Sequence, residues 1–280
     1  MFNDPRGSLW RKWDLHVHTP LSIKQEYGGD QEEVWEKYVS QLEALPPEFN
    51  VLGINDYLFV DGYERLLSYR SQGRLGNIAL LLPVIELRVD KFSGSGSKLN
   101  RVNYHVIFSQ EVTPDQIRAQ FFGAIASKYK LSHGYASLQN QWGGVVTRDN
   151  LMELGQMIRE ATPASKRKNL PSSPLKIGFS NLNFSLDGIQ AALESYQGFR
   201  GKYLTALGGA EWGQIRWDAS AAEKKSIING VDFVFLAASD RAHAERAVKK
   251  LIEQEVNHRL LDESDAHHFQ ESLLTYSHYD

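Results

Sequence analysis

Short apolar runs with the alternation of a strand are interleaved along this chain with stretches that carry the periodicity of an amphipathic helix. No other feature constrains the fold as strongly. Strands separated by helices pair in parallel and need both faces of their sheet covered. "KWDLHVH" opens the series as a strand. "QEEVWEKYVSQLEAL" follows, with Val34, Tyr38, Leu42 and Leu45 at helical spacing. "NVLGINDY" reads as a second strand ending near Asp56, and "DGYERLLSYRSQG" as a short helix closed by Gly73. "IALLLPVIELRV" reads as a strand whose functional end begins at Ile85, and "RVNYHVIFS" alternates again. "TPDQIRAQFFGAIASKYK" has an N-capping Thr113, a proline in the first helical position, and Ile117, Phe121 and Ile125 on one face. "LKIGFS", "YLTALGG", "VDFVFLAAS" and "HRLLDES" read as later strands, and "AHAERAVKKLIEQEV" as a helix.

This many units suggest a barrel, and 280 residues suit one α/β barrel, which takes about 250. The expectation is a single α/β domain over residues 1–280. "FSGSGSK" (Phe92 to Lys98) reads as a flexible loop, and "TPASKRKNLPSSP" (Thr162 to Pro174) as a basic, proline-rich one. There is no internal repeat. No GxxxxGK[ST] phosphate loop occurs, so the chain by itself is not a P-loop ATPase.

Composition narrows the chemistry. Cysteine is absent, which excludes disulfides and thiolate metal sites and makes a cytoplasmic location the default expectation. No stretch approaches the roughly 20 apolar residues that cross a bilayer, and the N-terminus lacks a signal-peptide core, so no membrane partner is expected. A net charge of −3 does not advertise nucleic-acid binding by itself.

Side chains two apart on a strand point the same way, so Asp14, His16 and His18 should share a face, as should Asp265 and His267 in "ESDAHHF". Asp56 in "GINDY", Glu86 in "VIELR" and His105 in "NYHVIFS" fall at or near strand ends. Reactive residues of a parallel barrel collect at the C-terminal ends of its strands. One shared site would then hold His16, His18, Asp56, Glu86, His105, Asp265 and His267. These nitrogen and oxygen ligands, without sulfur, suit zinc, manganese or iron, and they are too many for one tetrahedral ion. Two or three divalent metal ions bridged by carboxylates would use them. Each group also has a plainer reading. "SDAH" can be a capped turn, and Glu86 can pair with Arg88. His133, His243, His258 and His278 stand alone and read as structural or surface residues.

"DLHVHT" followed by "IND", "IEL", "NYHV" and "SDAH" resembles the PHP domain, named for polymerase and histidinol phosphatase. "GSLWRKWDLHVHTP", "INDYLFVDGYERL", "LLPVIELRV" and "INGVDFVF…LLDESDAH" look most like the PHP domain at the N-terminus of TrlF-type AAA/SMC-like ATPases. The resemblance spans nearly the whole chain. It implies a distorted (β/α)7 TIM-like barrel, up to three metal ions and phosphoester hydrolysis. It further implies an ATPase domain in cis or in trans, with this chain as the N-terminal part of a longer protein. Two departures stand out. Tyr57 replaces a histidine that many members carry after the second strand. The middle "AHP" histidine has no clear counterpart, although Glu211 in "GGAEW" ends a comparable strand.

The resulting expectation is a metal-dependent phosphoesterase, most plausibly a nuclease acting on DNA or RNA in prokaryotic, phage-defence-type processing. Metal between His16, His18 and a bridging Glu86 would activate water for in-line attack. Arg88 would hold a phosphate oxygen or orient Glu86. Tyr57 would donate to substrate or pack at the rim. Arg11, Lys12 and "SKRKN" would contact nucleic-acid phosphates, or be simply solvated. A small-molecule phosphatase and a non-catalytic module regulating the ATPase remain open as alternatives.

Overall fold

The computed structural model of the protein describes residues 11–95, 98–125, 127–131, 141–214 and 217–269. They group into two compact units, where the sequence reads as one domain. The first comprises the chain up to Glu86, His105–Glu111 and the chain from Leu204; the second comprises Leu87–Tyr104 and Val112–Tyr203.

Nine strands occur among the described residues: β1 (Lys12–Val17), β2 (Phe49–Asn55), β3 (Leu80–Ser95), β4 (Lys98–Phe108), β5 (Ser127–Lys130), β6 (Gln141–Gly144), β7 (Tyr203–Leu207), β8 (Phe233–Leu236) and β9 (Leu260–Asp262). The helices are α1 (Glu32–Glu43), α2 (Asp61–Ser71), α3 (Pro114–Gln116), α4 (Arg148–Ala161), α5 (Pro174–Asn181), α6 (Leu186–Ser195), α7 (Gly209–Gln214), α8 (Trp217–Asn229) and α9 (Arg241–Glu253). α3 continues as a π-helical stretch, Ile117–Phe122.

The first unit is built on a seven-stranded sheet in the order β1-β2-β3-β4-β7-β8-β9. β1 with β2, β2 with β3, β7 with β8 and β8 with β9 are parallel. β4 differs. Two residues separate it from β3, and so short a link joins only antiparallel neighbours. A uniform strand–helix alternation is therefore interrupted there. Past β9, Val17 bridges Ala266 in parallel, and the His18 N–H donates to the Ala266 carbonyl at 3.2 Å. The sheet thus nearly closes on β1 into a barrel-like form.

Each strand of that sheet contributes to one apolar layer. Leu15, Val51, Val84, Ile107, Ala206 and Phe235 are buried together, one each from β1, β2, β3, β4, β7 and β8, and Leu261 of β9 packs against them. This is how a barrel interior fills. A second core lies under α1 and α2. Trp35, Tyr38, Val39 and Leu42 form the buried face of α1 and pack with Leu52, Ile54, Tyr63, Leu66 and Leu81. Burying each such side chain stabilises the fold by about 1.5–3 kcal/mol.

In the second unit β5 and β6 pair antiparallel. Three sequence expectations change there. "LKIGFS" is not a strand but most of α5, because Ser173 accepts the Lys176 N–H as N-cap and Pro174 starts the helix. Phe92–Ser95 continues β3 rather than looping, and Lys98 begins β4. Ala164–Asn169 in the basic loop forms a 3₁₀ turn. In the first unit, β7 ends at Leu207, so Glu211 lies in α7 and not at a strand end. The Glu211 side chain, like His133 and His278, lies outside the described residues.

Candidate metal centre

The site begins with an irregularity in β1. Asp14 pairs with Leu52 and Val17 with Ile54, so β1 carries one residue more than β2 over this interval. An extra residue breaks alternation and re-aims a side chain. Leu15 joins the interior layer that contains Phe235, yet the His16 ring also lies 5.8 Å from the Phe235 ring. Strict alternation would have sent these neighbours to opposite faces. Asp14 does not reach the cluster as a donor. Its Oδ1 accepts the N–H groups of His16 (3.1 Å) and Ser264 (3.2 Å), fixing the turn of β1 to the segment after β9. The hydroxyls of Tyr27 and Tyr38 both donate to the His18 carbonyl at 3.0 Å, which holds the next residue pair in place.

The cluster itself draws on four elements. His16 and His18 come from β1 and its end, Glu86 from β3, His105 from β4 and Asp265 from the segment after β9. Two sets of donors lie close enough to share an ion: His16, Glu86 and His105, and His16, His18 and Asp265. His16 Nε2 stands 3.3 Å from Glu86 Oε2 and 3.2 Å from Asp265 Oδ1. His18 Nε2 stands 3.5 Å from Asp265 Oδ1, and His105 Nε2 3.7 Å from Glu86 Oε2. Yet Nε2 of His16, Nε2 of His18 and both ring nitrogens of His105 are buried without a hydrogen bond. Such orphaned groups are costly. Two donors bound at about 2.0–2.1 Å to one tetrahedral ion stand roughly 3.4 Å apart. The observed spacings fit a shared ion. These buried side chains could hold a metal.

The outward nitrogens are fixed by neighbours. Glu263 Oε2 meets His16 Nδ1 at 2.6 Å, and Ser22 Oγ meets His18 Nδ1 at 3.0 Å. A carboxylate on the far nitrogen of a ligating histidine orients the ring and raises its basicity. Asn55 donates to Glu86 Oε2 at 2.9 Å. Glu263 is absent from the sequence-derived set. Its signal was available: Glu263, Asp265 and His267 are spaced two apart.

The electrostatics follow from burial and pairing. Burial pulls the His16 pKa down, but Glu263 and Asp265 outweigh it and hold the imidazole well above its ordinary value. Burial lowers His18 to about 4, with the charges on His16 and His267 adding to the effect. Burial would raise Glu86, but the imidazoles of His105 and His16 standing close beside it keep its carboxyl well below the usual range. Asp265 is also lowered: burial opposes, and His16 and His18 prevail. The Asp265 side chain is half exposed (50%), whereas those of His16, Glu86 and His105 are nearly sealed (1–6%). The cluster therefore opens to solvent on the Asp265 side.

Two expected ligands are otherwise engaged. Asp56 is buried beside β2, but Oδ1 accepts the Thr19 N–H at 3.0 Å and Oδ2 the Thr19 hydroxyl at 2.8 Å. It fastens the chain just after His18. Gly62 makes room for this knot, since a Cβ there would fall 2.0 Å from Asp56 Oδ2 and 2.2 Å from Thr19 Oγ1. His267 stacks on His18 with ring centroids 4.0 Å apart. Its Nδ1 meets the Asp265 carbonyl at 2.7 Å and its Nε2 the Tyr57 hydroxyl at 2.9 Å. Tyr57 is buried, so its hydroxyl is directed to His267. Tyr57 (φ 59°) and Asp265 (φ 48°) both adopt left-handed backbone. For non-glycine residues this conformation costs on the order of 1–3 kcal/mol and gathers at functional sites. β9 ends at Asp262, so Asp265 and His267 meet the histidines through this turn and not by strand alternation.

The remaining candidates lie elsewhere. Arg11 and Lys12 sit at the start of β1, the end opposite His16 and His18. Arg11 reaches the Pro47 carbonyl at 3.4 Å, and Lys12 pairs with Glu48 at 3.5 Å. Arg88 belongs to the second unit, where its guanidinium lies 4.6 Å over the Phe179 ring. No helix among the described residues is long and apolar enough to cross a membrane. The chain matches no protein-family model, and no curated protein matches it in sequence.

Proposed function

We propose that the protein is a metal-dependent phosphoesterase of the PHP type, with the His16–His18–Glu86–His105–Asp265 cluster as its centre. The observation that carries this reading is the set of buried imidazole nitrogens without hydrogen bonds, spaced from carboxylate oxygens as donors to a common ion. Glu86 approaches both His16 and His105, which makes it the carboxylate suited to bridge two ions. Zinc, manganese and iron match these ligands. Bound there, such ions supply an activated water and a clamp on phosphoryl oxygens.

The chain's own residues prepare that chemistry. Glu263 fixes His16 with Nδ1 outward, leaving Nε2 to face the cluster. Ser22 fixes His18 likewise. Desolvation keeps His18 neutral, hence able to ligate, at neutral pH. Asp265, on the open side, stands where a substrate would enter. The order of motifs along the chain, with its resemblance to ATPase-coupled PHP domains, supports a nucleic-acid phosphodiester as substrate and an AAA/SMC-like ATPase as partner.

The test is metal analysis of protein purified without chelator, combined with cleavage assays on DNA, RNA and bis(p-nitrophenyl) phosphate. Bound divalent metal and phosphodiester cleavage that both disappear in His16→Gln are expected. A folded, metal-loaded protein that cleaves none of the three would refute the phosphoesterase and leave a metal-binding module.

A further inference from the structure

The second unit holds two arginines that converge on one segment. Arg88 lies with its guanidinium 4.6 Å over the face of Phe179, at the end of α5. Its backbone carbonyl accepts the Phe184 N–H at 3.0 Å, and Val89 bridges Phe184 in parallel, so β3 is pinned to this segment. Arg101 on β4 reaches the same segment from its own strand. It donates to the Leu182 carbonyl at 2.6 Å and to the Ser180 carbonyl. Burial and the neighbouring Arg88 charge both lower the Arg101 pKa, as expected for two cations held close together.

Among the described residues neither guanidinium pairs with a carboxylate. Among these residues Arg88 makes no side-chain hydrogen bond. Its guanidinium lies over the Phe179 ring, and its N–H groups carry no hydrogen bond among the described residues, so the fork of donors that arginine presents to an anion is unused there. Arg101 is half-buried and tied to carbonyls, which adds positive charge without a neutralising partner. Two adjacent cations without an acid repel each other. A ligand with a double negative charge and several acceptor oxygens would offset that repulsion better than a carboxylate.

We propose that Arg88 and Arg101, mounted on Phe179–Phe184, form a phosphate-binding subsite in the second unit. This subsite stands whether or not the metal reading of the first unit holds. The group it takes is a phosphate, either free or on a small molecule, or one belonging to a nucleic-acid strand.

The experiment uses the full chain stripped of metal with chelator, so that any ion in the first unit contributes nothing. Arginine Nε–H resonances are followed by NMR while inorganic phosphate, a ten-residue oligothymidylate or acetate is added. Phosphate is expected to shift the Arg88 signal, identified by its absence in Arg88→Gln, at millimolar concentration or below. Arg88→Gln should weaken phosphate binding by about tenfold or more. Arg88→Lys, which keeps the charge but not the fork, should lie between. Stronger binding of the oligonucleotide than of phosphate assigns the subsite to a nucleic-acid strand, and the reverse order to a small phosphate. Arg101→Gln also removes ties to α5 and is read only if its fold is intact by circular dichroism. The proposal is overturned if wild type shows no phosphate response, if Arg88→Gln binds as wild type does, or if acetate binds as tightly as phosphate.

Discussion

Asp56, just past the end of β2, and Glu86, in the middle of the neighbouring β3, are both buried and are both carboxylates, yet the structure uses them differently. Both oxygens of Asp56 are occupied by Thr19, with Gly62 cleared of a side chain to permit it. Glu86 accepts a bond from Asn55 and stands beside imidazole nitrogens that lack hydrogen bonds. Residue type and position in the chain do not separate these roles. What separates them is whether neighbouring donors are already satisfied. Asp56 shapes the turn that positions His18; Glu86 stands ready to share an ion.

The contrast breaks most visibly at His16, whose Nε2 belongs to both donor sets. His16→Gln should abolish metal binding and lower phosphodiester hydrolysis by on the order of 10²-fold or more, measured by plasma mass spectrometry and steady-state kinetics. Glu263→Gln, which leaves every donor of the cluster in place, should weaken metal affinity by about 10–100-fold. Competition with a calibrated chelator reads this out, and unchanged affinity would remove Glu263 from the centre. Asp56→Ala should do the opposite. It leaves two buried Thr19 donors unsatisfied and should cost about 3 kcal/mol of stability in denaturant unfolding, while bound metal per folded molecule stays constant. If it lost metal instead, Asp56 would be a ligand after all.

pH sharpens the same contrast within β1. In metal-free protein the His18 imidazole should remain neutral through pH 6 and protonate only near 4, because burial lowers it. His16 should retain its proton above its ordinary range, because Glu263 and Asp265 outweigh burial. A folded-state pKa below the unfolded one means that His18's contribution to stability is whole above its unfolded value and is lost as pH falls toward 4. That of His16 runs the other way, present at low pH and lost as pH rises through its raised value. Long-range ¹H–¹⁵N spectra of the two rings distinguish these directions. The smallest effect belongs to Lys12→Ala at the far end of β1. It removes an exposed pair with Glu48 worth under about 1 kcal/mol and should leave hydrolysis as it was.

Much of this was legible in the chain. Seven of the strand readings correspond to β1, β2, β3, β4, β7, β8 and β9, because apolar runs, alternation and turn residues mark them locally. His16, His18, Glu86, His105 and Asp265 do lie close together, but Glu86 and His105 sit within β3 and β4 and Asp265 in the turn after β9, not at strand ends. What escaped has identifiable causes. "LKIGFS" is apolar enough for a strand, and only the Ser173–Pro174 start signal marks it as helical. The extra residue in β1 leaves no trace in the sequence, so Asp14 was placed with the histidines although it binds backbone N–H groups. The role of Asp56 depends on Thr19, 37 residues away in the chain, and on the missing side chain of Gly62, and the three meet only on folding.

The most direct measurement is anomalous scattering from crystals grown without chelator and soaked in Mn²⁺ or Zn²⁺. Peaks are expected within bonding distance of His16 Nε2, His18 Nε2 and Asp265 on one side and of Glu86 and His105 on the other. Well-ordered side chains at these positions with no peak among them, at saturating metal, would contradict the assignment of this cluster as a metal centre.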